Sequence, residues 1–139
     1  SSAVRLGREL GDLMRGNKDL AVTTSTATNP YLVDFDGTLP TTSADCYAGA
    51  CISRTEVAQF NIREWLGRVD TELPGVRVKV CFDATPYTAA GTPRWDCTDA
   101  GGVAVVKMGW TLLSTNRAAT SQATLGASGK TGLVKAASP

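Results

Sequence analysis

The chain has no histidine, an absence that removes the Ser-His and Cys-His nucleophile pairs together with the commonest zinc ligand. Net charge is nearly lacking too. Fourteen Lys and Arg stand against thirteen Asp and Glu, which leaves no field to hold a phosphate backbone or an anionic membrane surface. Nucleic acid is therefore not an expected partner. No stretch approaches the roughly 18 consecutive apolar residues of a membrane span. The opening Ser1-Ser2-Ala3-Val4-Arg5 lacks the basic-then-apolar order of a signal peptide. Either the protein is wholly soluble or a segment precedes this one.

What is present fits a single globular domain over 1–139, since 139 residues, 42% of them hydrophobic, suffice for one core. Cys46, Cys51, Cys81 and Cys97 make an even number, the pattern of a disulfide framework in an oxidising compartment. Three pairings are open. Cys46 and Cys51 can close locally around Gly49, which leaves Cys81 with Cys97, a loop of roughly 17 residues worth about 3 kcal/mol in chain entropy. A four-thiolate zinc site is the rival reading, because the Cys46/Cys51 spacing is also a ligand spacing.

Residues 1–20 read as a helix whose packing face is Leu6, Leu10, Leu13 and Met14, with Arg8, Glu9, Asp12 and Arg15 mostly elsewhere. Its apolar pattern is already running at the start, as in the remaining half of a truncated helix. Residues 21–52 form a loop region rich in Thr, Ser, Asn, Pro and Gly, punctuated by Asn29-Pro30, Asp36-Gly37 and Leu39-Pro40. Tyr31, Leu32, Val33 and Phe35 are its apolar cluster, expected to pin the loop to the body. Ser53-Arg54-Thr55-Glu56 has the form of a capping box. A second helix is predicted over 53–73, burying Ala58, Ile62, Trp65, Leu66, Val69 and Leu73 and ending at Pro74-Gly75.

An antiparallel sheet is predicted over 76–113. Residues 76–82 alternate with Val76, Val78, Val80 and Phe82 on one face, residues 93–97 read as a short second strand, and 103–113 as a third with Ala104, Val106, Met108, Trp110 and Leu112 on one side. The segment 114–139 is Ser/Thr/Ala/Gly-rich and reads as a linker or tail, with a short strand around 131–135 allowed. Gly129-Lys130-Thr131 is no phosphate loop, because Thr124 stands where that motif needs glycine. Asp34 with Asp36 and Asp96 with Asp99 lack an acid/base partner or a metal-loop spacing. From the residues alone the chain is an α+β domain with no catalytic residue, metal ligand or cofactor expected, hence not an enzyme.

The order of Leu10-Gly11-Asp12-Leu13-Met14-Arg15-Gly16-Asn17, Cys46-Tyr47-Ala48-Gly49-Ala50-Cys51, Asn61-Ile62-Arg63-Glu64-Trp65 and Leu73-Pro74-Gly75, followed by a Val-rich strand, resembles the PilV-type minor pilins of bacterial type IV pili. The match covers about residues 5–113. The family's leader, methylated N-terminal phenylalanine and hydrophobic half-helix have no counterpart in this chain, and the tail lies outside the match. The resemblance implies a pilin-like fold, an N-terminal helix on an antiparallel meander. It implies a structural subunit that primes pilus assembly near the tip and serves adhesion and twitching motility. Its partners would be other minor pilins, the major pilin and the tip adhesin. The full-length protein would be anchored in the inner membrane with its domain in the periplasm and then in the extracellular pilus. On this reading Tyr31, Leu32, Phe35 and Tyr47 are the candidate partner contacts, and the isolated domain is expected to be a monomer. A pseudopilin of type II secretion and a free periplasmic binding module are the alternatives.

Overall fold

A computed structural model describes residues 2–42, 44–49, 51–110 and the backbone of 131–136. Helix α1 spans Ser2–Arg15, α2 Lys18–Ala21 and α3 Arg54–Glu72, and strands β1 Asp34–Phe35, β2 Arg77–Phe82, β3 Ala104–Trp110 and β4 Thr131–Ala136 form one sheet in the order β1-β2-β3-β4. All three pairings are antiparallel, with Phe35 opposite Val78, Val80 opposite Val106 and Met108 opposite Leu133. The architecture is mixed α+β.

The predicted packing face of α1 is observed in Leu6, Leu10 and Met14, all fully buried, while Leu13 is half-buried against the same core. The small residues Ala3, Gly7 and Gly11 are buried as well. The Trp65 indole N–H donates to the Leu6 carbonyl at 2.8 Å inside the core. Arg5 pairs with Glu72, Glu9 with Arg68, and the Asn17 amide donates to the Arg54 carbonyl at 2.9 Å, so α1 and α3 run antiparallel. Ala58, Ile62, Trp65, Leu66 and Val69 of α3 join Val78, Val80, Phe82, Ala104, Val106 and Met108 of the sheet in one hydrophobic cluster. Leu73 and Trp110 lie at its half-buried margin.

Three expectations are corrected. The first helix does not run unbroken to residue 20. It stops at Arg15 and restarts at Lys18, because Gly16 is a poor helix former and Asn17 leaves helical geometry at φ −135° and ψ 46°. The Asn17 amide then faces the Arg54 carbonyl and the Tyr31 hydroxyl instead of solvent. The loop region is not wholly irregular, since residues 34–35 pair with β2 as β1. Residues 93–97 are not a strand. The Arg94 N–H bonds the Pro86 carbonyl and Tyr87 bridges Pro93, so this segment pairs with its own insert rather than with the sheet. The short strand allowed in the tail is present, since Thr131–Ala136 pairs along β3; residues 111–130, Leu112 among them, and 137–139 lie outside the described residues.

The insert 83–103 crosses the face of the sheet turned away from the helices. Trp95 packs with Cys81 and Val105 there as a second, smaller buried cluster. Both faces of the β2–β3 pair are therefore covered, and β3 is buried on both sides from Ala104 to Gly109.

Candidate functional site

The cysteines pair as Cys46–Cys51, with Cα atoms 5.2 Å apart, and Cys81–Cys97, at 6.4 Å. No free thiol is left, so the four-thiolate zinc reading does not describe this structure. The second disulfide ties β2 to the insert, not to a neighbouring strand as the predicted meander required.

Around Cys46–Cys51 the chain is built to hold side chains outward. The Asp45 carboxylate accepts from the Tyr47 and Ala48 N–H groups at 3.0 and 3.1 Å, and the Asp45 carbonyl accepts from Gly49 N–H at 3.2 Å. This is an Asx-type turn that leads into the disulfide ring. Immediately after it the Ser53 hydroxyl accepts the Glu56 N–H at 3.1 Å and starts α3, as the capping signature predicted. Tyr47 is 80% exposed and Ile52 is 87% exposed. The Tyr47 ring meets Phe60 edge-on, with centroids 5.0 Å apart. Its hydroxyl is held above the ordinary phenol value, first by a hydrogen bond to the Glu64 carboxylate and then by that carboxylate's charge.

Two grooves flank this loop. One, of about 520 Å³, lies where α1 and α2 meet the start of α3 and includes Arg15, Lys18, Asp19, Ile52 and Arg54. The other, of about 470 Å³, runs past Leu39, Asp45, Tyr47, Phe60, Arg63 and Glu64. Arg54 pairs with Asp19 at 2.7 Å, and Arg15 pairs with Asp12.

The residues proposed as partner contacts do not share this surface. Tyr31 and Phe35 are fully buried, which corrects their assignment as contacts. The Tyr31 hydroxyl lies 3.3 Å from the Asn17 amide, and its N–H bonds the Asn29 side chain at 3.0 Å. These bonds give the loop cluster the anchoring role read from composition. Leu32 is half-buried against the core, and only Tyr47 stands out in solvent. No family model matches the chain, and comparison with curated proteins and with solved structures also yields no match.

Two features escaped the sequence reading. Lys107 and Asp83 form an ion pair with both side chains fully buried, and the Lys107 ammonium also donates to the Asp96 carbonyl at 2.9 Å. Burial pushes the Asp83 carboxyl upward. The hydrogen bond from Lys107, the Thr85 N–H, the Lys107 charge and the Thr98 backbone outweigh it and hold the group below the ordinary carboxylate value. The alternation of β3 placed Lys107 on the face away from the core, where a lysine reads as solvated, and nothing local announced the insert that covers it. The second feature is a recess of about 450 Å³ on that same outer face, lined by Ala84, Pro86, Tyr87, Gly101, Val103 and Val105. Among the described residues no cluster of three or more His, Cys, Asp or Glu could hold a metal ion.

Proposed function

We propose that this domain is a minor-pilin-type structural subunit that primes type IV pilus assembly. The observation that carries the reading is the agreement between motif order and architecture. The chain that reads helix, Cys-closed loop, capped helix and Val-rich strand folds with α1 laid beside α3 over one antiparallel sheet, its Leu6, Leu10 and Met14 face buried. The reading requires a helix that continues N-terminally from α1 into a membrane or a filament core, and it gives the choice of neighbours to the loop-bearing surface. In this reading the subunit is anchored in the inner membrane by an apolar helix N-terminal to α1, with its domain in the periplasm, and passes into the pilus by exchanging lipid contacts for helix contacts.

Other minor pilins, the major pilin and the tip adhesin are the partners, and the work is done by surfaces rather than by chemistry. The test is deletion of the gene with counts of surface pili, followed by complementation with the full-length protein carrying or lacking residues 46–51. Loss of pili restored only by the intact loop supports the proposal. Normal piliation with impaired protein secretion moves the domain to a type II secretion pseudopilin. Normal piliation and secretion together favour a periplasmic binding module.

A further inference from the structure

The two disulfides lie in different surroundings. Cys81 is 6% exposed and packs with Trp95 and Val105, and Cys97 lies against the same small cluster. Cys46 and Cys51 are both half-buried, belong to neither hydrophobic cluster, and sit among the exposed residues Asp45, Tyr47, Ala48, Gly49 and Ile52. Their ring spans residues 46–51 alone. The segments on either side are held without it, because Asp45 takes the Tyr47 and Ala48 N–H groups before the ring and the Ser53 hydroxyl takes the Glu56 N–H after it. Opening this bond therefore leaves both cores and the start of α3 intact, whereas opening Cys81–Cys97 detaches the insert from β2.

The two sulfurs of the ring also differ in access. Cys51 lines the solvent-open groove of about 520 Å³ that runs past Gly16, Lys18 and Arg54, while Cys46 lines neither groove beside the loop. Thiol–disulfide exchange requires a thiolate to reach one sulfur of the bond, so access decides which bond reacts and which sulfur is attacked. The guanidinium groups of the groove are already paired, Arg15 with Asp12 and Arg54 with Asp19. What the groove supplies is therefore a path to a sulfur rather than a charge. Its volume falls in the range that holds a small molecule.

We propose that Cys46–Cys51 is a thiol-exchange site, at which a low-molecular-weight thiol of about tripeptide size enters this groove and attacks Cys51 Sγ. The incoming thiol has given its proton to water. Its sulfur forms a bond to Cys51 Sγ, the Cys51–Cys46 bond breaks, and the electron pair leaves on Cys46 Sγ, which takes a proton from water. The incoming sulfur is oxidised to a mixed disulfide and Cys46 is reduced to a thiol. Attack by the Cys46 thiolate on Cys51 Sγ reverses the step and recloses the ring. Tyr47 lies within the ring, so the thiolated form loses the covalent closure that holds its side chain edge-on to Phe60.

The experiment treats the oxidised full chain with reduced glutathione over a time course, quenches with acid, alkylates free thiols and maps the adducts by mass. A free Cys46 thiol and glutathione on Cys51 should appear about tenfold or more faster than any thiol at Cys81 or Cys97. Amide hydrogen exchange of the thiolated form should accelerate across residues 45–51 while α3 and the sheet keep their protection. The variant Lys18→Trp, at an exposed position lining the groove, should slow the reaction of Cys51 severalfold and leave that of Cys81–Cys97 unchanged; circular dichroism verifies its fold. Four results overturn the inference: no adduct at the ring, the two disulfides opening together or Cys81–Cys97 first, glutathione found first on Cys46, or an undiminished rate in Lys18→Trp. The inference does not depend on the pilus reading, and the gene-deletion test is unaffected by its failure.

Discussion

Leu10 and Lys107 are both fully buried, yet they answer to different physics. Leu10 contributes by removing apolar surface from water, so Leu10→Ala leaves a cavity between α1, α3 and the sheet. It should cost about 2–5 kcal/mol, read as a lowered midpoint in thermal or denaturant unfolding. An unmoved midpoint would mean that the α1 face is not core. Lys107 is tolerated in the interior only because the Asp83 carboxylate and the Asp96 carbonyl face it. Removing one partner leaves the other as an uncompensated buried charge, and Asp83→Ala should cost about 3–5 kcal/mol.

The pair also sets an acid limit. Asp83 is held below its ordinary value in the folded chain, so its contribution is complete above the unfolded-state pKa of about 3.9. It is lost as pH falls from there through the folded value. Melting temperature followed from pH 6 to pH 2 should therefore fall less steeply for the double variant Asp83→Leu with Lys107→Met than for wild type. Parallel curves would remove the pair from the account of acid stability.

Among the elements, the insert 83–103 depends most on what surrounds it. It contains one isolated bridge, Tyr87 with Pro93, and a tight turn in which Thr88 N–H bonds the Thr92 carbonyl at 2.8 Å. Its attachment comes from Cys81–Cys97, from Trp95 packed on Cys81 and Val105 with the Arg77 guanidinium 5.0 Å from its ring centre, and from the Lys107 bonds. Replacing Cys81 and Cys97 together by serine should lower stability by about 3 kcal/mol on the chain-entropy model. Amide hydrogen exchange should accelerate across 83–103 while α1 and α3 keep their protection, because the helices draw on the other cluster. Equal acceleration everywhere would mean that the insert and the helix layer unfold as one unit. Helix α3, by contrast, was legible in detail. The Ser53 cap, the buried stripe and the stop before Pro74-Gly75 all rest on neighbours within one or two turns.

At the scale of the whole molecule, the sheet divides the protein into a helix side with the large core and an insert side with the small one. Function on the proposed reading belongs to the loop-bearing surface beside Cys46–Cys51 rather than to reactive groups. What depends on neighbours along the chain was legible in the sequence, the cysteine pairing and the loop cluster as readings with rivals. This covers the burying faces of α1 and α3, the alternation of β2, the local closure of Cys46 with Cys51 and the anchoring of the loop by its apolar cluster. Each of these follows from a period of 3.6 or 2 residues, a cap or a short ring.

Tertiary structure decided everything that depends on residues far apart in the chain. Gly16 and Asn17 break the first helix because Asn17 has partners at Tyr31 and Arg54. Residues 93–97 stay out of the sheet, and Trp95 is buried instead against Cys81 and Val105 on its outer face. Residues 131–136 become a strand because β3 offers an open edge. Lys107 is buried because a folded insert comes over it. Alternation tells which face of a strand a side chain occupies, but only the completed fold tells whether that face meets water, and the burial of Tyr31 and the exposure of Ile52 follow from the same fact.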